Sequence, residues 1–254
     1  MRALAPLLLL APLVSLASPA PSISPGRYAL ELVVATATQV PVMGETLVYT
    51  RSLSQVDVFV QDGVTYQTQR LCSVTVEDNN RLADTRIPAA FIASFPVQTY
   101  AVSLTPLATG GVAYFADPGS VSIGFDPKRT AGQVPATPDD PNLLDYDGDG
   151  KPGATVNLVV PVLGAVELYI AQRGHSVMSG ELQNGVVRGA VDVRYFSQRT
   201  LEASNSLFHA NPPMRHLDES WFRLSPAPGM GCQQLSATLG ARPIERSAPS
   251  RWPH

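Results

Sequence analysis

The sequence predicts an all-β fold, a single antiparallel β domain closed as a barrel or packed as a sandwich. Three observations carry this. Apolar and polar residues alternate with a period of two in run after run of the chain, the pattern of strands with one buried face. Asp62-Gly63 and Asn184-Gly185 stand between such runs, where a two-residue hairpin turn requires positive φ. Charged residues form 15% of the chain, against about a quarter in ordinary domains, while Gly, Pro, Ser, Thr and Val are plentiful.

From the N-terminus, "MRALAPLLLLAPLVSLASPA" carries one cation at Arg2 and an apolar stretch from Leu4 to Leu16. Small residues then stand at the −3 and −1 positions of two cuts, after Ala17 or after Ala20. Residues 1–20 therefore read as a secretory signal, and the protein as exported, to a periplasm or to the extracellular space. The stretch is too short and too proline-broken for a membrane span, and no later segment offers the roughly 18 apolar residues that one needs. A net charge of −3, from 18 basic and 21 acidic residues without a basic run, excludes the footprint of a nucleic-acid binder.

A proline-rich lead-in, "SPAPSISPG", precedes the β domain, placed over 21–240. Tyr28, Leu30, Leu32 and Val34 share one strand face, and Val56, Val58 and Val60 another before the Asp62-Gly63 turn. Tyr100, Val102 and Leu104 follow, then Val121, Ile123 and Phe125 after a DPGS turn. In "MSGELQNGVVRGAVDVRYF", Val187, Gly189, Val191, Val193 and Tyr195 alternate with Arg188, Ala190, Asp192 and Arg194, which predicts a hairpin with a core on one side and, at Gly189, a bulge or bend. Helical candidates are short: 199–208 and 233–240. Residues 126–153 read as a long Pro/Asp-rich loop between two strand groups, and 241–254 as a flexible C-terminal tail.

Two cysteines in an exported protein pair, so a Cys72–Cys232 disulfide is expected, the alternative being two buried free thiols. The bridge would close a loop of about 160 residues, worth on the order of 5 kcal/mol by chain entropy, and would tie the end of the domain to an early strand.

The stretch "LLDYDGDGKPGATVNLVV", 143–160, sets Asp145, Asp147 and Asp149 at alternate positions, then Gly150 for a sharp turn and Lys151, whose carbonyl oxygen is a further donor. Calcium takes six to eight oxygens, and alternate carboxylates in a tight loop can present them to one point. The stretch resembles the DxDxDG calcium loops of EF-hands, dockerin repeats and thrombospondin type-three repeats, over about a dozen residues and nowhere else in the chain. The resemblance implies metal-ligand roles for Asp145, Asp147, Asp149 and the backbone of Lys151. It departs at the loop's twelfth position, where EF-hands and dockerins place an acid and this chain has Val156. Strand-like sequence follows in place of an exiting helix, so a helix-loop-helix sensor is excluded. Asp139, Asp140 or Asp126 could supply the missing acid; the alternative is an acidic turn without metal.

No GxSxG elbow, HExxH helix or P-loop occurs. The polar cluster His209, His216, Asp218 and Glu219, in "FHANPPMRHLDESWF", could bind zinc or serve a hydrolase, or form a surface loop whose Trp221 and Phe222 tuck into the core. His175, in "QRGHSV", reads as a turn residue. Three functions stay open: a secreted, calcium-stabilised β domain for binding or surface interaction with a protein or glycan; a carrier of a small apolar ligand; and an extracellular hydrolase at His209 and His216. Gly26-Arg27-Tyr28 is similar to the Gly-x-Trp early in lipocalins, which implies the carrier.

Overall fold

The computed structural model describes residues 22–40, 44–81, 83–108, 110–161 and 163–246. The expected signal, 1–20, and the chain beyond 246 lie outside the described residues. The chain is an all-β single domain in which strands form one twelve-stranded antiparallel sheet with two short helices. The strands are β1 Gly26–Val40, β2 Gly44–Gln61, β3 Val64–Asp78, β4 Asp84–Arg86, β5 Gln98–Pro106, β6 Val112–Ala116, β7 Ser120–Ile123, β8 Ala154–Val160, β9 Gly164–Gln183, β10 Val186–Ala203, β11 Met214–His216 and β12 Trp221–Pro226. The helices are α1 Ala89–Ser94 and α2 Cys232–Leu239.

The pairings return on themselves. In the order β1, β2, β3, β5, β6, β9, β10 and β12, each strand pairs with the next and β12 with β1, so these eight close a barrel. Closure follows from the length of β9, which pairs successively with β8, β7 and β6 along one edge and with β10 along the other. The alternation read from the sequence becomes inside and outside. Tyr28, Leu30, Val56, Val58, Tyr100, Val102, Tyr114, Met178, Val187, Val191 and Phe222 fill the interior. A polar belt lies among them: the Tyr114 hydroxyl donates to Gln67 Oε1 at 2.9 Å, and the Tyr100 hydroxyl to Gln69 Oε1 at 2.8 Å. A carrier would hold its ligand among these side chains.

Both hairpin turns take the expected form, with Asp62 and Gly63 at φ 50° and 76°, and Asn184 and Gly185 at 51° and 78°. Gly189 does not mark a bulge. The register shifts of β10 fall at Val193/Tyr195 and Thr200/Glu202, and the first turns Tyr195 out to 45% exposure. Gly189 instead makes room, since a Cβ there would come within 2.7 Å of the Phe222 ring.

The helix expected at 233–240 is α2. That expected at 199–208 is not formed: β10 runs through Ala203, Leu201 is buried against Phe125 and Ala171, and a short 3-10 turn follows over Ser206–Phe208. Pairing with β9 outweighs the modest helix propensity of "RTLEA". The short helix α1, not expected, packs Phe91 against Ile123, Val156 and Ile170.

The structure departs again at the C-terminus. Residues 241–246 are seated on the outer face of β1, β2 and β12, not loose. Ile244 is buried against Val33, Tyr49 and Trp221, and Trp221 Nε1 donates to the Glu245 carbonyl at 3.1 Å. Beneath them Arg51, 1% exposed, donates to the carbonyls of Gly240 and Arg242 at 2.7 and 2.8 Å. The segment supplies acceptors that a buried guanidinium requires. Cys72 and Cys232 form a disulfide that pins α2 to β3.

Candidate metal centre

The loop between β7 and β8 leaves the sheet at Gly124 and returns at Gly153. The two glycines cross where only glycine fits: a Cβ at Gly153 would lie 2.3 Å from the Ile170 carbonyl, and one at Gly124 2.8 Å from Gly153 Cα. Both have positive φ. Phe125, Val134 and Leu143 press the loop onto Ala171 and Leu201, and the aspartate turn is tied by Gly153 N–H donating to the Leu144 carbonyl and Tyr146 N–H to the Gly153 carbonyl, at 2.9 and 2.8 Å.

Within this frame Asp145, Asp147 and Asp149 converge, with one carboxylate oxygen of each within 4.8 Å of the others. The Asp145 carboxylate is clamped by the backbone. Its Oδ1 accepts from Gly148 and Asp149 N–H at 2.8 and 3.0 Å, and its Oδ2 from Gly150 N–H at 3.0 Å. Positive φ at Gly148 (75°) and Gly150 (82°) turns these donors inward. Asp149 Oδ1 accepts from Lys151 N–H at 2.9 Å.

Thr155 completes the turn and was not identified from the sequence, although it stands one residue before Val156. Its N–H donates to Asp147 Oδ2 at 2.9 Å, and its hydroxyl to Asp149 Oδ2. Asp147 Oδ1 is buried with no hydrogen-bond partner. Burial pushes the Asp147 carboxyl above its ordinary value, and the charges of Asp149 and Asp145 add to the shift. Three mutually repelling carboxylates, one with an unsatisfied buried oxygen, form an arrangement that a cation would satisfy. Burial also pushes the Tyr146 hydroxyl up to about 12, and its ring packs edge-on to Phe91. Lys151 Nζ lies 5.4 Å over the Tyr169 ring.

The proposed supplementary acids do not join this cluster. Asp140 Oδ1 accepts from the Asn142 backbone and side chain at 2.8 and 2.9 Å, Asp126 pairs with Arg129 at 3.4 Å, and Asp139 carries its own hydrogen bond from Thr137. Each is occupied by its own turn. Val156, at the twelfth loop position, is 8% exposed and packs in the core. The glycines at 148, 150 and 153 also match the GxGxxG spacing, but the loop runs into a strand, so no helix N-terminus faces a phosphate.

The polar cluster toward the C-terminus is spread out. His209 follows the 3-10 turn and is exposed, as are Asp218 and Glu219. His216 lies in β11 opposite Thr36, its ring edge-on to Phe196 at 5.3 Å. Burial lowers its pKa, and Nδ1 is buried without a partner. Among the described residues, the aspartate trio is the group of metal-capable side chains that converges. No family model matches the chain, and no curated protein or solved structure matches it.

Proposed function

We propose that the chain is an exported β-barrel whose long loop is ordered by calcium and whose task is binding or surface interaction. The observation that carries the metal is the aspartate turn itself: Asp145 held by three backbone N–H groups, Asp147 and Asp149 converging on it, and Asp147 Oδ1 buried without a partner. The donors are all hard oxygens, with no imidazole or thiolate among them, which favours calcium over zinc or copper. The Lys151 carbonyl and water would complete the shell. Without an acid at Val156, the expected affinity is of the extracellular kind, about 10⁻⁴ to 10⁻³ M. Such a site orders a loop; it does not signal.

Export is supported by the leader-like first twenty residues and by the disulfide. No helix among the described residues is long and apolar enough to cross a membrane.

The test uses terbium, a luminescent calcium substitute, with Tyr146 inside the turn as sensitiser. Terbium emission excited through tyrosine should rise on titration, fall again as calcium competes at millimolar concentration, and be lost in Asp147→Ala and Asp149→Ala. Emission that is equal in parent and variants would rule the site out.

A further inference from the structure

The long loop also walls a second feature on the outside of the barrel. Ser120, Gly132, Gln133, Arg173, His175 and Tyr195 line a cavity of about 390 Å³, within the size range of small-molecule sites. Strand register builds it. His175 lies within β9, not in a turn, with Ser120 of β7 opposite it on one side and Tyr195 of β10 on the other. Arg173, two residues along, shares that face.

The polar groups are held before any ligand arrives. Arg173 Nη1 donates to the Gly132 carbonyl at 2.9 Å, and its guanidinium carbon lies 5.7 Å from the Tyr195 ring centre. Gly132 permits this approach, since a Cβ there would be 1.9 Å from Nη1. Arg173 Nε is buried without a hydrogen-bond partner. His175 Nε2 is paired with Asp117 Oδ1 at 2.8 Å, and that oxygen also accepts from Gly119 N–H at 2.8 Å, so the ring is fixed and Nδ1 is left over.

Charge and shape select the ligand. Among the described residues Arg173 has no carboxylate partner, whereas Asp117 is engaged by His175. A fixed guanidinium with no counter-ion recognises an oxyanion. The exposed Tyr195 ring offers an apolar platform, and Ser120 and Gln133 offer neutral hydrogen-bonding groups, features that a bare inorganic anion would not use.

We propose that this pocket binds a small hydroxylated carboxylic acid of sugar-acid size, its carboxylate on Arg173, its carbon skeleton on Tyr195 and its hydroxyls on Ser120, Gln133 and the His175 Nδ1, which accepts because Nε2 donates to Asp117. The site does not depend on the aspartate turn holding a metal. The acid is either free or the end of an acidic glycan, because the recognised group is the same.

Saturation-transfer NMR on the full oxidised chain tests it, with glucuronate as probe, glucose as its neutral twin, and a glucuronate-terminated oligosaccharide. Glucuronate should give a saturable signal and glucose none. Arg173→Gln should weaken glucuronate by about tenfold or more, the worth of a charge-assisted hydrogen bond. Tyr195→Leu, at a half-exposed ring, should weaken it severalfold and keeps the test alive should the arginine variant fail to fold. Binding of the free acid alone assigns the pocket to a metabolite, and binding of both acids assigns it to a chain end. The proposal is overturned if glucose binds as well as glucuronate, if glucuronate gives no saturable signal, or if folded variants bind like the parent.

Discussion

Asparagine at position 147 separates charge from shape in the aspartate turn. It keeps an oxygen for the Thr155 N–H, 2.9 Å away in the parent, and replaces the unpartnered buried Oδ1 by a neutral group. The Asp147 carboxyl is raised in the fold, first by burial and then by its two neighbours. A carboxyl raised in this way stabilises the fold below its unfolded value, near 3.8, and that contribution is lost as pH rises through the folded value. At pH 7 in chelator, ionised Asp147 is therefore unfavourable, and Asp147→Asn should be at least as stable as the parent. The gap should close as pH falls below about 4.

Calcium should reverse the order. With a Kd of about 10⁻⁴ to 10⁻³ M, about 10 mM calcium stabilises the parent by about 1.4 to 2.7 kcal/mol through linkage. At about 2 to 4 °C per kcal/mol for a domain of this size, its Tm should rise by about 3 to 11 °C. The variant, short of one anionic ligand, should gain much less. Calorimetric melts in chelator and in calcium read both signs. Equal rises in parent and variant, or a variant less stable in chelator, would refute the reasoning.

Serine at both Cys72 and Cys232 should lower stability by up to about 5 kcal/mol, because the bridge spans 160 residues; coincident urea midpoints would contradict this. Two glycine substitutions in one loop should differ. Gly153→Ala, at φ 84° with a Cβ 2.3 Å from a carbonyl oxygen, should lose about 3 kcal/mol or more, and Gly148→Ala, at φ 75° in open space, about 1 kcal/mol. Equal losses by urea denaturation would remove the close approach to Ile170 as the reason for glycine at 153. Ile244→Ala should lose about 2 to 4 kcal/mol by leaving a cavity against Trp221, and an unchanged urea midpoint would place 241–246 outside the cooperative fold.

Features fixed by neighbours in sequence were legible, and those fixed by distant partners were not. The faces of β1 and β10 and the Asn184-Gly185 turn follow from alternation and local φ demands. The aspartate turn was visible for the same reason, since its ligands and most of its N–H donors lie within a dozen residues. The true extent of β10 was hidden, because what holds Thr200 and Leu201 extended is β9, some thirty residues earlier. Ile244 could not be read as core, since the groups it covers belong to β1, β2 and β12. His175 and Asp117 are 58 residues apart, and nothing local to either announces the other. A loop legible as a loop gave no sign that Gly132 would reach Arg173.

The place of β12 in the ring bears on how the molecule comes into being. It alone joins β10 to β1 in the closed path, yet it is made after some 220 residues of the chain, and the cysteine that pins α2 is made later still. For most of synthesis β1 therefore has one edge without its final neighbour, and such an edge can recruit a strand from another chain. A molecule of this kind closes last-made to first-made. Truncated copies should form open sheets that associate with one another, and the finished copy is protected from this by its last strand.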